Sequence, residues 1–399
     1  MAAAPGPRVL FLTANVSSIF DDPEQLQKNW LQEFFEVVRV QKPLFVAVHC
    51  QEVGGKNFHE SKPHVEAFVR ALVAGEEMQG FTRARIYMDQ NSESKENFTA
   101  LGCLFFLHDS LKNTLQFDFK ARRFHKILGQ ETTVGPLDAI SSLEKEKLSH
   151  ESKLSRKGFI RTRWQLCGSV FDLVNIHLFH DADNITAWQD SPSIYSTTRQ
   201  SALSHVLDRV TDERFDPAPF FIFGDFNFRL DTGQLIKSLY GEAQMERQQP
   251  DISEGNDRLV FTETNNDHKV LLRLEKRKFE LADQDIFHAD NGKILLPFDK
   301  ELMPFKGRLF EIDIEYPPSY PYSEEQGQGC CYNNTRCPAW CDRILMSRSA
   351  RELLLETETS KPLYNHLGAN VCMGDHKPVL LTFHLVRDPA KQQPCCTMQ

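Results

Sequence analysis

Six short polar clusters in this sequence each follow a run of apolar residues: Thr13-Ala-Asn15, Gln51-Glu52, Asn175-Ile-His177, Gly224-Asp225-Phe-Asn227, Trp340-Cys-Asp342-Arg343 and Gly374-Asp375-His376-Lys377. Loops at strand ends are where an α/β scaffold commonly places its chemistry. Singly the clusters say little, because an Asp after Gly is ordinarily a turn residue. A lone His closing an apolar strand is ordinarily a satisfied imidazole. Their recurrence at one position relative to the strands is the signal. Together they supply carboxylates, amides, imidazoles and cations, with no obvious covalent nucleophile. That inventory suits metal-assisted attack of water on phosphorus. Such attack needs oxygen ligands for Mg²⁺, a group to orient the water, and positive charge for the phosphoryl oxygens.

The elements that must carry these clusters follow from periodicity. Val9 to Thr13 and Leu44 to Val48 are short continuous apolar runs, as buried strands are. Between them Asp22-Pro23-Glu24 opens a helix, and Leu26, Trp30, Phe34 and Val38 recur at helical spacing. Further strands are expected at Thr99–Leu107, Phe159–Leu166, Val170–His177, Phe220–Phe223, Ile344–Met346 and Pro378–Leu385. Helices are expected at Ser193–Arg209 and Val270–Phe279. Asp138–Lys157 and Gly241–Asn266 are polar and read as surface excursions. Strands mixed with helices, without an internal repeat or a Pro/Gly/Ser linker, predict one mixed α/β catalytic domain.

Composition narrows the chemistry. The 399 residues carry 46 Lys+Arg against 55 Asp+Glu, a net charge of −9, so nucleic acid is not the expected partner. An anionic small substrate fits if cations cluster locally. The ten cysteines lack zinc-ligand spacing. The first residues lack the pattern of a signal peptide, so the expectation is a cytosolic protein with reduced thiols.

Phe223-Gly-Asp-Phe-Asn-Phe-Arg-Leu230 and Arg336-Cys-Pro-Ala-Trp-Cys-Asp-Arg-Ile-Leu345 resemble the two signature motifs of inositol-polyphosphate 5-phosphatases. The remaining clusters, from Asn15 to His376, match the wider endonuclease/exonuclease/phosphatase superfamily in order. Within the family the chain is similar to the type I subgroup, which acts on soluble inositol 1,4,5-trisphosphate and inositol 1,3,4,5-tetrakisphosphate and so ends a calcium-mobilising signal. The resemblance implies a DNase I-like, four-layered α/β sandwich of two central mixed sheets flanked by helices. It also implies roles. Glu52 would be the principal Mg²⁺ ligand, with Asn15 beside it and Asp375 as a further contact. Asp225 would orient or deprotonate the water, and Asn227 would hold the phosphate or that water. His376 would pair with Asp342, and His177 would donate to the phosphoryl oxygens. Arg343 and Lys377 become candidates for the neighbouring 4-phosphate, Lys157 for another phosphate, and Arg336 for substrate binding. Which of Asp225 and His376 is the base stays open.

Departures from the family pattern bear on specificity. Ile222 stands where many members have Trp, and Phe159 replaces a second Gly. Asn334 occupies a position that carries Lys in members acting on phosphoinositide lipids, which favours soluble substrates over a lipid 5-phosphatase activity. A nuclease or phosphodiesterase on the same scaffold is the rival reading, and a catalytically dead inositol-phosphate scaffold is a second.

The resemblance extends to about residue 387, giving a catalytic domain over 1–387 and a tail over 388–399. Cys396-Thr-Met-Gln399 has the CaaX spacing of prenylation, and the terminal Gln favours farnesyl. One prenyl chain anchors weakly, so a second signal is expected, with Cys395 available for palmitoylation. The expected location is the cytoplasmic face of the plasma membrane, with a cytosolic pool.

Overall fold

The computed structural model describes residues 5–386, apart from 58–60, 91–96, 150–155, 249–256, 265–268 and 359. Cys396 and the rest of the tail lie outside the described residues. Strands β1 (Pro5–Asn15), β2 (Phe45–Gln51), β3 (Arg83–Asp89) and β4 (Gly102–Leu107) open the chain, interleaved with helices α1 (Ser17–Asp21), α2 (Leu26–Gln41) and α3 (Lys62–Val73). A hairpin of β5 (Leu115–Asp118) and β6 (Arg123–Lys126) leads to β7 (Gln130–Gly135), β8 (Glu144–Lys147), β9 (Gly158–Leu166) and β10 (Ser169–His177). Next come α4 (Asn184–Gln189), α5 (Ile194–Val210), β11 (Phe220–Asp225), α6 (Thr232–Tyr240) and the strands β12 (Gln244–Gln248), β13 (Arg258–Thr262), β14 (Val270–Glu275) and β15 (Lys278–Leu281). An irregular stretch precedes β16 (Asp342–Met346), α7 (Arg348–Arg351), β17 (Leu354–Leu355), β18 (Leu363–His366) and β19 (Val379–Val386).

The strands form two large mixed sheets. The first runs β17-β19-β1-β2-β4-β3-β7 with β18 on β19, and the second runs β16-β11-β10-β9-β5-β6 with β8 on β9. Three apolar interfaces define four layers. Phe11 of the first sheet packs on Phe221 and Phe223 of the second, at ring separations of 5.0 and 5.3 Å. On the outer face of the first sheet, Leu10, Leu12, Val46 and Val48 meet α2 and α3, and on that of the second, Val174, Ile176 and Ile222 meet α5. Because both faces of β1 are covered, its sequence is continuously apolar. Val9 and Phe11 point between the sheets, while Leu10 and Leu12 point to the helices. The four residues at helical spacing in α2 are its buried ones.

Several expectations fail here. Val270–Phe279 is the β14–β15 hairpin, not a helix: Leu272, Leu274, Phe279 and Leu281 are buried, and Lys276-Arg277 makes the turn. The stretch 241–266 supplies β12 and β13 to the same four-stranded sheet, and Leu259 and Phe261 enter the main core. Part of the 138–157 excursion is β8, whose Lys145 pairs with the buried Asp89 at 3.2 Å. Cys50, Cys103, Cys330, Cys331, Cys337, Cys341 and Cys372 are free, but Cys167 is disulfide-bonded, so the expectation of reduced thiols fails at that position.

Register decides where the polar clusters go. Asn15 pairs with Gln51 across the parallel β1–β2 ladder, His177 with Asp225 across β10–β11, and Asp225 with Asp342 across β11–β16. All of these strand ends meet at one rim of the sandwich.

Candidate active site

The rim forms a cleft lined by Asn15, Glu52, Lys157, Asp225, Asn227, Arg336, Asp375 and His376. Asp225, at the end of β11, is its centre. Oδ1 accepts the Asn227 backbone N–H at 2.9 Å, and Oδ2 accepts the side-chain amides of Asn15 and Asn227, each at 3.1 Å. His177 Nε2 stands 3.3 Å from Oδ2. Burial opposes the charge of Asp225, yet the His177 hydrogen bond and the charges of His376 and Lys157 hold it well below the usual carboxylate range. Asn227 makes this possible with φ 52°, a left-handed conformation that Asn tolerates.

Beside Asp225 lies the His376–Asp342 pair. The His376 Nδ1–H donates to Asp342 Oδ2 at 2.8 Å, and Ser319 Oγ donates to the same oxygen at 2.7 Å. Burial works against a charged imidazole, but Asp342 and Asp225 push its pKa up to about 10. Donor atoms of Asp225, Asp342 and His376 lie within 4.8 Å of one another. That spacing would also let the three share a cation, which would compete with the proton on His376.

Glu52, Asn15 and Asp375 line the same cleft. Glu52 follows β2 with φ 54°. Burial raises its pKa, but Lys157, His177 and Arg156 bring it down to about 2. Asn15 Oδ1 accepts the Ser17 N–H at 3.2 Å, and Asp375 Oδ1 accepts Ser18 Oγ at 3.0 Å. Carboxylate and amide oxygens around a buried anionic centre are the donor set of a hard divalent cation, so these residues fit Mg²⁺.

The cations divide into two groups. Lys157, buried just before β9, touches His177 Nε2, and burial lowers its pKa to about 8 against the pull of Glu52 and Asp225. Arg336 lines the cleft and donates to Asp181 O at 3.2 Å. Arg343 and Lys377 do not reach it. Arg343 is bound by Asp299 at 2.9 Å and Glu311 at 2.5 Å, and Lys377 Nζ donates to the carbonyls of Gly329, Gly368 and Val371. Each follows a residue that faces the site, and neighbours along an extended chain point oppositely. Asn227 also departs from its expected role. Its Nδ2 is committed to Asp225 and Leu178 O, and its Oδ1 accepts Arg229 Nη2 at 2.7 Å, so it fixes Asp225 and is not free to hold phosphate.

Sequence reasoning missed Lys56, His180, Asp181, Arg229, Tyr320 and Glu324, which also line the cleft. Arg229 lies inside the first motif, two residues after Asn227, where a signal existed. Tyr320 sits in an irregular Pro-rich stretch with none. Its ring lies 4.4 Å from that of His376 and 4.7 Å from the Arg229 guanidinium.

Comparison with known proteins agrees with this site. Residues 295–382 match the Endonuclease/Exonuclease/phosphatase family 2. Inositol polyphosphate-5-phosphatase A of Canis lupus familiaris and of Homo sapiens are each 53% identical over 408 residues, covering 100% of this chain and 99% of theirs. A probable type I inositol 1,4,5-trisphosphate 5-phosphatase of Caenorhabditis elegans is 33% identical, covering 94% of this chain and 99% of its own. Among solved structures, the inositol polyphosphate 5-phosphatase domain of SPsynaptojanin, in complex with inositol (1,4)-bisphosphate and calcium ion, superposes with a TM-score of 0.54 at 15% identity, covering 97% of this chain and 87% of that one. A Cimex nitrophorin shares the architecture at a TM-score of 0.52 and 16% identity, covering 96% of this chain and 99% of its own, so the sandwich alone does not fix an activity. Full-length identity to the curated enzymes, carried on a DNase I-like four-layered sandwich, places this chain in the inositol polyphosphate 5-phosphatase family.

Proposed function

We propose that the protein removes the 5-phosphate of soluble inositol polyphosphates, inositol 1,4,5-trisphosphate and inositol 1,3,4,5-tetrakisphosphate, with Mg²⁺ as cofactor and water as the nucleophile. The observation that carries the reading is the convergence of ionised Asp225, His177 and the Asp342-bound His376 within a cleft walled by Lys157 and Arg336. Asp225, held by Asn15, both amide groups of Asn227 and His177, would orient water and take its proton. His376, occupied by Asp342 at Nδ1, presents its Nε2 edge to phosphoryl oxygens, and His177 faces the same charge. Water adds to phosphorus as the P–O bond to the ring breaks. The departing oxygen takes up one proton for the one that Asp225 removes from water, giving inorganic phosphate and a free hydroxyl. Glu52 and Asn15, with Asp375 near, would hold Mg²⁺, which would supply Lewis-acid polarisation of the phosphoryl group.

Arg336, Lys157, Lys56 and Arg229, whose Nε and Nη1 have no hydrogen-bond partner among the described residues, are cations of the cleft available to the other phosphates. Asn334 supports the soluble class over phosphoinositide lipids: it accepts from Gln284 Nε2 at 2.6 Å and adds no cation. The CaaX spacing at Cys396 supports farnesylation and peripheral attachment to the cytoplasmic face of the plasma membrane, with 388–399 acting as a tail to a catalytic body over 1–387. Among the described residues no helix is long and apolar enough to cross a membrane.

The test is Mg²⁺-dependent phosphate release from inositol 1,4,5-trisphosphate, beside a water-soluble 4,5-bisphosphorylated phosphoinositide and abasic DNA, for the wild type and Asp225→Ala. Release from the first substrate alone, lost in the variant, supports the reading. Equal release from the phosphoinositide overturns the specificity, and nicking of DNA alone overturns the activity.

A further inference from the structure

The free edge of the second sheet carries a surface that catalysis does not use. In the β5–β6 hairpin Lys120, Arg122, Arg123 and Lys126 are all exposed, and Leu128 just beyond is 76% exposed, more than the other exposed large apolar side chains among the described residues. Four cations within seven residues invert the sign of a chain whose net charge is −9. The carboxylates nearest in sequence are already engaged. Asp118 accepts the Ala121 N–H and Ser141 Oγ, both at 2.6 Å, and Glu131 pairs with Arg85 at 3.2 Å. Arg122 rests over the Phe215 ring at 5.6 Å.

Strand register places this surface relative to the active site. Lys126 pairs with Leu115, and Leu115 with Gln165, near the end of β9 that turns into β10 at the Leu166–Ser169 pair. The catalytic rim is the other end of that ladder, at Gly158–His177. Leu128 precedes Gln130, whose level runs across the first sheet through Ala84, Phe106, Val46 and Leu10 to Thr382. Leu128 is therefore near the end where Pro5 pairs with Val386 and the described chain stops. Val40, 56% exposed, and Lys42 lie at this end too, because the Leu44 N–H donates to Arg8 O.

We propose that this basic hairpin, with Leu128, docks the protein on an anionic phospholipid surface with the catalytic rim turned away from the membrane. Cations flanking an exposed leucine suit the charged headgroup layer and the acyl boundary beneath it, and each cation multiplies binding roughly fivefold. A single prenyl chain needs a second signal, and a folded basic patch within reach of the 13 residues after Val386 provides one. The geometry also bears on substrate. The nine residues of β10 separate the far end from the rim by roughly 30 Å, several times the ~8 Å over which salt screens a charged surface. Soluble polyanions then reach the cleft without repulsion, and headgroups of the docked membrane do not.

The experiment uses the full chain with Cys396→Ser, so that no lipid anchor contributes and the outcome is independent of the prenylation reading. Sedimentation with phosphatidylcholine vesicles, with and without phosphatidylserine, is expected to show binding only to the anionic vesicles and loss of binding with added salt. Binding should weaken roughly tenfold or more in Lys120→Glu/Arg123→Glu/Lys126→Glu and in Leu128→Asp, with thermal melting and inositol trisphosphate hydrolysis unchanged. If the triple variant melts early, Lys120→Gln/Lys126→Gln takes its place. Equal sedimentation of variant and wild type overturns the proposal, as does wild-type sedimentation with neutral vesicles. Retention on polyglutamate without binding to phosphatidylserine vesicles assigns the patch to an acidic protein instead and also overturns it. Failure of the phosphatase reading would appear separately, as absent hydrolysis by a wild-type chain that still binds vesicles.

Discussion

His376 Nδ1 stands 2.8 Å from Asp342 Oδ2, and Asp342 is the strand partner of Asp225, so one β11–β16 ladder position sets both the charge of the imidazole and its distance from the Asp225 carboxylate. Sheet register thus acts directly on chemistry. A shift by one residue would turn Asp342 into the core and bring Arg343 to the cleft.

Asp342→Asn tests this dependence. The amide keeps the shape and the Ser319 hydrogen bond but removes the charge that sustains the imidazolium. kcat for inositol trisphosphate is expected to fall on the order of 10²–10⁴, the range for one acid–base group, with KM little changed. A variant with wild-type kcat would remove His376 from the mechanism.

Glu52→Gln tests the metal wall. The wild type should melt at higher temperature as Mg²⁺ is added, because the cation neutralises carboxylates that repel one another in the folded state. The variant should lose most of that shift and need a higher Mg²⁺ concentration for half-maximal activity. An unaltered Mg²⁺ response in both readouts would move the principal ligand elsewhere.

Arg336→Met and Arg343→Met separate a substrate cation from a structural one. Arg343 is buried between Asp299 and Glu311, and removing it leaves two uncompensated carboxylates, a loss of about 3–5 kcal/mol in unfolding free energy. Arg336 contacts only backbone carbonyls among the described hydrogen bonds, so its loss should raise KM and leave denaturant unfolding close to wild type. The reverse pattern would restore Arg343 as a phosphate ligand.

These two arginines also mark what the sequence could reveal. The strand-end clusters announced Asn15, Glu52, His177, Asp225, Asp342 and His376, because a short apolar run bordered by polar residues is a local pattern; the first four stand at or just past the C-terminal ends of their strands, whereas Asp342 opens β16 and His376 precedes β19. The buried face of α2 was equally local. Side-chain direction past a strand end is not local, which is why Arg343 and Lys377 looked eligible beside Asp342 and His376. Val270–Glu275 misled for another reason: with leucines at 271, 272 and 274 the run satisfies helical and alternating spacing alike, and only pairing with β13 and β15 decides it. Tyr320 reaches His376 through an irregular segment that no periodicity describes.

Acid should destabilise the fold through histidines that are buried and neutral. His49 stacks on Phe223 at 3.6 Å, its Nδ1–H donates to Phe223 O at 3.2 Å, and its Nε2 is buried without a partner. Burial pushes its pKa down to about 3, and burial takes His366 down to about 4. Unfolded, both titrate near 6.5, so below that pH the unfolded chain binds more protons and gains population. Their contribution is complete above pH 6.5 and is lost as pH falls toward their folded values. At about 1.4 kcal/mol per group and pH unit, the two together remove roughly 5 kcal/mol by pH 4.5. His376 has the opposite sign, since its raised pKa stabilises below 6.5 and that gain is lost only as pH rises toward 10. The depressed carboxylates Glu52 and Asp225 act below about pH 4.5. Between pH 7.5 and 6 the His376 gain offsets much of this loss, so denaturant unfolding at pH 6, 5.5 and 5 isolates the depressed histidines, to which His180, lowered by burial to about 4, adds its share, and His49→Leu should flatten the slope by about one group's share. A wild-type profile that stays level from pH 6 to 5 would mean that His49 and His366 take up protons without leaving the core.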